Sequence, residues 1–447
     1  MSNGAHWIMA RPSRVVVVSF AGFLALGTLI LLLPVSRAGD DGSGAPFIVA
    51  IFTATGASCG ALTIVDTATY WSTFGQVVIL ALIQLGGFGI MALASLLGLA
   101  VSRRMGLRWR LTAAEETQTV GLGDVRTVLT GVFKVTLVIE AVLALILTLR
   151  FWLGHDQSLG RALWHGVFHS ISAFNNAGYA LYTNNMVDFV DDPWIIIPIG
   201  LGCTLGALGF PVIFELMRRT PRRRWSLNTR MTLWGTAVMM LGGGVCVTIF
   251  EWSNPATMGE LDLGGKLLAG FFQPATARTA GFNSIDYAQA HEETLLVTDI
   301  VMFVGGGSAS TAGGIKVTTF FLLLFVILAE VRGDANVTIG DRRIDPRAQR
   351  QALTVALVGV AVVVAPTLVL MAMSDQSLSK VLFEVISAFG TVGASSGVTA
   401  ELPAAGHLIL IFLMFLGRVG SISLVSALAL RDQYRAYEYP EGRPLIG

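Results

Sequence analysis

The sequence predicts an all-α polytopic membrane protein in which one unit occurs four times: a span (M1), a shorter half-helix with a glycine-containing loop, and a second span (M2). Three observations lead there. Hydrophobic residues make up 53% of the 447-residue chain and charged residues only 13%, against roughly 25% charge in a typical soluble domain. Apolar runs long enough to cross about 30 Å of hydrocarbon recur along the whole length. Between them lie short runs of Gly, Ser, Thr, Asn and Ala, one in each quarter of the chain.

The apolar segments fall in pairs: 15–35 with 72–101, 127–153 with 192–217, 229–250 with 293–329, and 350–373 with 404–430. Inside each pair sits a segment too short to span, at 45–57, 160–175, 264–278 and 377–390. Eight spans and four re-entrant half-helices follow. The repeats run 1–110, 111–225, 226–345 and 346–447, the last with a C-terminal tail. Internal repetition is a stronger fold signal than any single motif. No cleavable leader is expected, because the first apolar run ends in Pro34 without a small-residue cleavage site. The 50 glycines suit close helix packing and non-helical backbone inside protein.

Arginines set the expected orientation. Arg11 and Arg14 precede the first span. Arg103, Arg104, Arg108 and Arg110 follow the first repeat, and Arg218, Arg219, Arg222, Arg223 and Arg224 the second. Arg332, Arg342, Arg343, Arg347 and Arg350 follow the third, and Arg431 and Arg435 lie in the tail. The half-helices are flanked only by scattered cations such as Arg37, Arg161 and Lys266. Both termini and all inter-repeat loops are therefore expected in the cytoplasm, with the half-helices entering from outside. Topology alone accounts for these arginines, although some could also dock a partner or anionic lipid. A net charge of +1 gives no field that would favour nucleic acid.

The turns after the half-helices carry the chemistry. Phe168 to Gly178, Phe271 to Gly281 and Phe383 to Gly393 open on Phe and close on Gly at one spacing. A degraded fourth copy runs from Phe52 through Ser58, Cys59, Gly60 and Ala61. A re-entrant helix points the negative end of its dipole at the centre. The carbonyls beyond it are free to replace a cation's hydration shell. Glycine tolerates φ > 0 there and puts no side chain in the lumen, although a helix cap would use glycine too. The matched spacing favours a filter lining a central pore. Its candidate residues are Ser58, Cys59, Gly60 and Ala61, then Asn176, Ala177 and Gly178, Thr279, Ala280 and Gly281, and Thr391, Val392 and Gly393.

Ser172-Ala-Phe-Asn-Asn-Ala-Gly-Tyr179, Thr276-Ala-Arg-Thr-Ala-Gly-Phe-Asn283 and Ser387-Ala-Phe-Gly-Thr-Val-Gly393 resemble the pore loops of the Trk/Ktr/HKT potassium transporter superfamily. Val65-Asp66-Thr67, Gln84-Leu-Gly-Gly-Phe-Gly-Ile90 and the terminal Leu445-Ile-Gly447 place the chain nearest the KtrB-type membrane subunits, over nearly its whole length. The resemblance implies channel-like K⁺ uptake across a bacterial-type plasma membrane. It also implies a homodimer on cytoplasmic nucleotide-binding regulatory subunits of the KtrA type, and Na⁺ as an activator. No covalent cofactor is implied; the ion itself is the cargo. One departure stands out. Counting back from Asp66, the family's first filter glycine falls on Ala61, and counting from Phe52 the loop is short. Either Gly60 takes the role after a one-residue shift, or Ala61 replaces it. In the family this position separates K⁺-selective members from Na⁺-permeable ones, so a Na⁺-permeable or Na⁺-coupled transporter is the alternative reading.

Gly305-Gly-Gly-Ser-Ala-Ser-Thr-Ala-Gly-Gly314 interrupts the second span of repeat three and is followed by Ile315 and Lys316. Each Gly costs a helix about 1 kcal/mol against Ala, so this stretch is a break. It lacks the Lys-Ser/Thr that closes a phosphate loop. Broken helix at membrane depth survives inside protein or beside water, and the resemblance implies an intramembrane gate. The gate residues are Gly305, Gly306, Gly307, Ser308, Gly313, Gly314 and Lys316, the last of which could also snorkel.

Arg418 lies inside the last span, where a charge faces the interior. The resemblance implies a barrier in the pore, and the plain alternative is a structural ion pair. Glu384 reads as a buried acceptor. His165 and His169 lack the partners of a metal or enzyme motif and read as structural or outer-mouth residues. Cys59, Cys203 and Cys246 have no metal-ligand spacing. No enzyme is expected. A secondary carrier is a less favoured reading, because carriers commonly use inverted repeats and these four share one orientation.

Overall fold

The computed structural model describes residues 12–39, 42–104, 125–218 and 221–429, with residues 12–16, 90–104, 125–128 and 420–429 as backbone only. Arg11, Arg108, Arg110, Arg219, Arg431, Arg435 and Leu445-Ile-Gly447 lie outside the described residues. The structure is mostly helical. The first quarter gives α1 (Pro12–Leu31), α2 (Phe47–Cys59) and α3 (Thr73–Arg104). The second gives α4 (Val125–Gly154), α5 (Leu159–Phe174), α6 (Pro193–Leu208) and α7 (Phe210–Met217). The third gives α8 (Leu227–Glu251), α9 (Leu263–Ala277), α10 (Glu292–Phe303) and α11 (Val317–Arg332). The last gives α12 (Pro346–Met373), α13 (Leu378–Gly390) and α14 (Ala404–Ala429). A two-residue hairpin, β1 (Thr338–Ile339) and β2 (Arg342–Arg343), joins α11 to α12, with Thr338 opposite Arg343.

Local chemistry starts and stops these helices. Asp192 accepts a bond from Trp194 N at the head of α6, Asp262 from Gly265 N at α9, and Asp345 from Arg347 N at α12. Pro193 and Pro346 occupy first helical positions, where no N–H is needed. Gly333, at φ +72°, closes α11 in the left-handed region.

By length and composition, residues 129–154, 227–251 and 346–373 could each cross a membrane among the described residues. The segment expected as one span over 192–217 is instead two helices, α6 and α7, bent by 102°. Gly209 stands at the break with φ +89°, and Pro211 follows it in the first turn of α7. A left-handed residue cannot continue a right-handed helix.

The short helices α2, α5, α9 and α13 form an inner layer. Each packs on a helix of the preceding quarter: α5 on α3, α9 on α6, α13 on α10 and α2 on α14. The last contact closes the chain on itself. Phe52, Phe168, Phe272 and Phe383, one from each short helix, are all 0% exposed. That corrects the sequence expectation at Phe271, which is only half-buried; its neighbour Phe272 takes the core position.

Candidate functional site

Each short helix ends at a buried turn, and the four turns touch in a closed ring. The first begins at Cys59, the second after Phe174, the third after Ala277 and the fourth after Gly390. A Cβ on Gly178 would overlap the Ala280 carbonyl, and one on Gly281 would lie 2.6 Å from the Gly393 carbonyl carbon. A Cβ on Gly393 would lie 3.1 Å from the Ala61 carbonyl, and one on Gly60 would overlap the Asn176 carbonyl. Turns two, three, four and one thus follow each other around a circle. Backbone meets backbone at every step, so glycine is required where the approach is closest. Four helix C-termini face the centre, and each carries about half a negative charge. The ring suits a desolvated cation better than any anion.

Shared positions explain the odd first turn. Ala61 N–H bonds Gly56 O, Ala177 N–H bonds Ser172 O, Gly281 N–H bonds Thr276 O, and Val392 N–H bonds Ser387 O. Each acceptor stands four residues after its buried Phe. Phe52 to Ala61 and Phe272 to Gly281 are nine residues apart, and Phe168 to Gly178 and Phe383 to Gly393 ten. The first turn is therefore no degraded copy; it has the length of the third. In turns two and four the closing glycine stands one residue beyond the hydrogen-bonded position, and Asn176 (φ 55°) and Thr391 (φ 50°) take left-handed backbone just before that position. In turn one Ala61 holds the ring position beside Gly393, while Gly60 (φ 68°) supplies the left-handed backbone one residue earlier. The two roles that fall together on Gly281 are split between neighbours. Ser58 and Cys59 are buried behind them.

The glycine-rich segment between α10 and α11 is packed against this ring. Val304 and Ile315 bridge its two ends, and Gly305 N–H bonds Ile315 O at 2.9 Å. The break at Gly209 frees the last carbonyls of α6. Ala207 O accepts from Gly307 N–H at 2.7 Å and Gly206 O from Thr311 N–H at 3.3 Å. A Cβ on Gly209 would overlap the Ser308 carbonyl, and one on Gly313 would lie 2.7 Å from Gly390 O. Gly306 O accepts from Val317 N–H, and Gly314 is left-handed at φ 64°.

Arg418 on α14 is 3% exposed, and its guanidinium donates to the Thr311 carbonyl. Among the described residues no carboxylate pairs with it. Lys316 does not reach away from the loop: its Nζ donates to Ala312 O at 2.6 Å. Two cations therefore sit on the loop beside four helix ends. The side chain of Asn176 joins loop to ring, contacting the Thr311 hydroxyl and, at 2.8 Å, the Thr279 hydroxyl.

Glu384 is fully buried. It accepts from Ser395 Oγ at 2.8 Å, from Ser396 N at 2.7 Å and Oγ at 3.0 Å, and from the Thr399 hydroxyl. It ties α13 to the chain beyond the fourth turn. His169 holds the outer side of the second turn: Nδ1 lies 2.7 Å from His165 O, and Nε2 accepts from Leu181 N–H at 3.2 Å. That pattern fixes a neutral tautomer and leaves no lone pair for a metal. His165 bonds Tyr182 OH at 2.8 Å. Sequence reasoning missed Thr311, a neutral residue in a glycine run, and Glu140, whose signal was a lone acid inside an apolar span.

Known proteins resemble this chain over nearly its whole length. The chain matches the TrkH family, described as cation transport protein, over residues 11–437. It is 36% identical over 442 residues to the Ktr system potassium uptake protein B of Bacillus subtilis, covering 99% of this chain and 98% of that one. It is 36% identical to the protein of the same name from Vibrio alginolyticus, covering 97% and 94%. The crystal structure of the potassium transporter TrkH from Vibrio parahaemolyticus superposes with a TM-score of 0.72 at 17% identity, over 92% of this chain and 83% of that one.

Proposed function

The chain belongs to the TrkH family of cation transport proteins, and on that premise we propose that it conducts K⁺ into the cell, down its electrochemical gradient. The closed ring of four turns at the ends of four short helices carries this reading. Carbonyls of Gly60 and Ala61, Asn176 to Gly178, Thr279 to Gly281 and Thr391 to Gly393 replace the ion's hydration shell. The segment from Gly305 to Gly314 is the gate. Arg418 on α14 and Lys316 just after the segment, both bonded to its carbonyls, form an electrostatic barrier that must move aside for conduction. Four repeats supply eight spans and four re-entrant half-helices, with both termini and the arginine-rich loops in the cytoplasm of a bacterial-type plasma membrane.

Relatives named as one protein of a Ktr system support a partner subunit; we take that partner to be a KtrA-type nucleotide-binding subunit beneath a homodimer, with Na⁺ as activator, as the sequence resemblance implies. The protein performs no covalent chemistry. Ala61 in place of a ring glycine supports a second reading, a pore that also passes Na⁺. Purified protein in K⁺-loaded liposomes tests both. K⁺ flux driven by a gradient alone, exceeding Na⁺ flux at least tenfold, is the expected result. Equal fluxes favour the second reading, and saturable counterflow of an organic solute without ion flux overturns both.

A further inference from the structure

The run Gln84-Leu-Gly-Gly87 on α3 is not used by the ring itself, yet it touches two of its turns. A Cβ on Gly86 would lie 2.9 Å from the Ser58 carbonyl carbon, directly behind the first turn. A Cβ on Gly87 would lie 2.8 Å from Asn175 Cγ, behind the second. Bare backbone at both positions lets α3 wedge between the turns. Gln84, one helical turn earlier, accepts a hydrogen bond from Asn175 Nδ2 at 2.8 Å. Glu140 reaches the same amide from α4: its Oε1 accepts from Asn175 Nδ2 at 3.0 Å and its Oε2 from Gln84 Nε2 at 3.2 Å. The Glu140 backbone carbonyl also accepts from Ser170 Oγ on α5. Glu140 is 6% exposed and Asn175 1%. A carboxyl group placed this deep in an apolar helix is expensive, and packing alone gives no reason for it.

We propose that Glu140, with Gln84, is a positioning residue for ion selection. It clamps Asn175, and Asn175 immediately precedes the left-handed Asn176 that shapes the second turn. The clamp deepens the reading of the ring as a cation filter and rests on it. Three helices from two quarters of the chain meet at one amide, so Asn175 cannot shift without breaking bonds to α3 and α4 together. A small displacement of the Asn176 and Ala177 carbonyls changes the fit of a dehydrated ion. The clamp therefore acts on the ratio of ions carried rather than on whether the chain folds.

A reversed pair tests it. Asn175→Asp sets two carboxyl groups against each other, and Glu140→Gln leaves amides facing an amide. Together they restore one acid and one amide with the roles exchanged. The K⁺-to-Na⁺ flux ratio is measured in liposomes for wild type, both single variants and the double variant. All are loaded at equal amounts after a check for a single species in size-exclusion chromatography. The expected result is a tenfold or greater fall in the ratio for Asn175→Asp, a smaller fall for Glu140→Gln, and recovery to within threefold of wild type in the double variant. A double variant as poor as the worse single one overturns the clamp. So does an unchanged ratio in both single variants, and so does a rescue of melting temperature without rescue of the ratio. Should wild type carry K⁺ and Na⁺ equally, the K⁺ reading falls separately. The clamp is then judged on total cation flux, which the reversed pair restores if the clamp is real and leaves low if it is not.

Discussion

Asn176 is hydrogen-bonded to Thr311, which joins the second turn of the ring to the glycine-rich loop packed against it. Both side chains are 1% exposed, so neither can turn to water when the contact breaks. Thr311 also offers its backbone carbonyl to Arg418. One residue thus links the ring, the loop and the cation on α14.

Thr311→Val keeps the shape and removes the hydroxyl. A neutral hydrogen bond contributes about 1 kcal/mol, which shifts a two-state equilibrium roughly fivefold. If the bond holds the loop closed, Thr311→Val should raise gradient-driven K⁺ flux by about that factor. Asn176→Ala combined with it should add less than the sum of the two, because both remove one contact. Additive effects in liposome flux would show that the bond does not connect ring and gate.

Deleting residues 305–314 removes the partner of Arg418 together with the plug. K⁺ flux should rise by an order of magnitude or more. Arg418→Gln should give a smaller rise, since the loop stays in place with one cation fewer beside the helix ends. Both are read as uptake rates at fixed gradient in the same liposomes, and a deletion that conducts no faster than wild type removes the loop from the gating role.

The split between Gly60 and Ala61 yields opposite expectations for neighbouring residues. Gly60→Ser puts a side chain on left-handed backbone, at about 1–2 kcal/mol, and against the Asn176 carbonyl. The K⁺-to-Na⁺ flux ratio should fall at least tenfold. Ala61→Gly only removes a methyl group at a position without left-handed backbone, and the ratio should stay within about twofold. The reverse outcome would make Ala61 the selective position.

Asp192 caps α6 from just before its first residue, where it meets Arg150 and His155 at the end of α4. Burial raises its carboxyl pKa, but the hydrogen bonds from His155 and Arg150 and the Trp194 N–H outweigh it and hold the group below its ordinary value. A depressed carboxyl stabilises the folded state at every pH above the ordinary range and loses that contribution as pH falls through the depressed value. Asp192→Asn keeps an acceptor for the cap but loses the ion pair, and should therefore lower the melting temperature at pH 7 by an amount corresponding to about 1 kcal/mol. The gap to wild type should close as the buffer is taken below the ordinary carboxylate range. A gap independent of pH would mean that the charge on Asp192 does not matter.

Much of the helix layout is legible without coordinates, because the length of each apolar run reports it directly. The short helices end within two residues of the expected positions, since a segment too short to span has few places to stop. The break at Gly209 is hidden because its flanks are apolar on both sides and one glycine inside an apolar run has no local signature. Phe271 and Phe272 cannot be told apart by spacing; only the buried face distinguishes them, and that error conceals the equal length of turns one and three. The clamp at Asn175 draws residues from positions 84, 140 and 175, a proximity set by packing of three helices and by nothing in their local sequence.

Glu384 offers the clearest separation of structure from conduction. It is fully buried and receives four hydrogen bonds from Ser395, Ser396 and Thr399. These bonds fold the chain beyond Gly393 back onto α13 and fix the outer side of the fourth turn. Glu384→Ala would leave several buried donors without an acceptor, each costing about 1–3 kcal/mol. The purified variant should melt well below wild type, or fail to accumulate in the membrane. Glu384→Gln keeps an acceptor of the same size but also presents two donors to groups that are already donors, so it should recover part of the loss and no more. A melting temperature equal to wild type in Glu384→Ala would show that water replaces the carboxylate, and that the fourth turn is held by α13 packing alone.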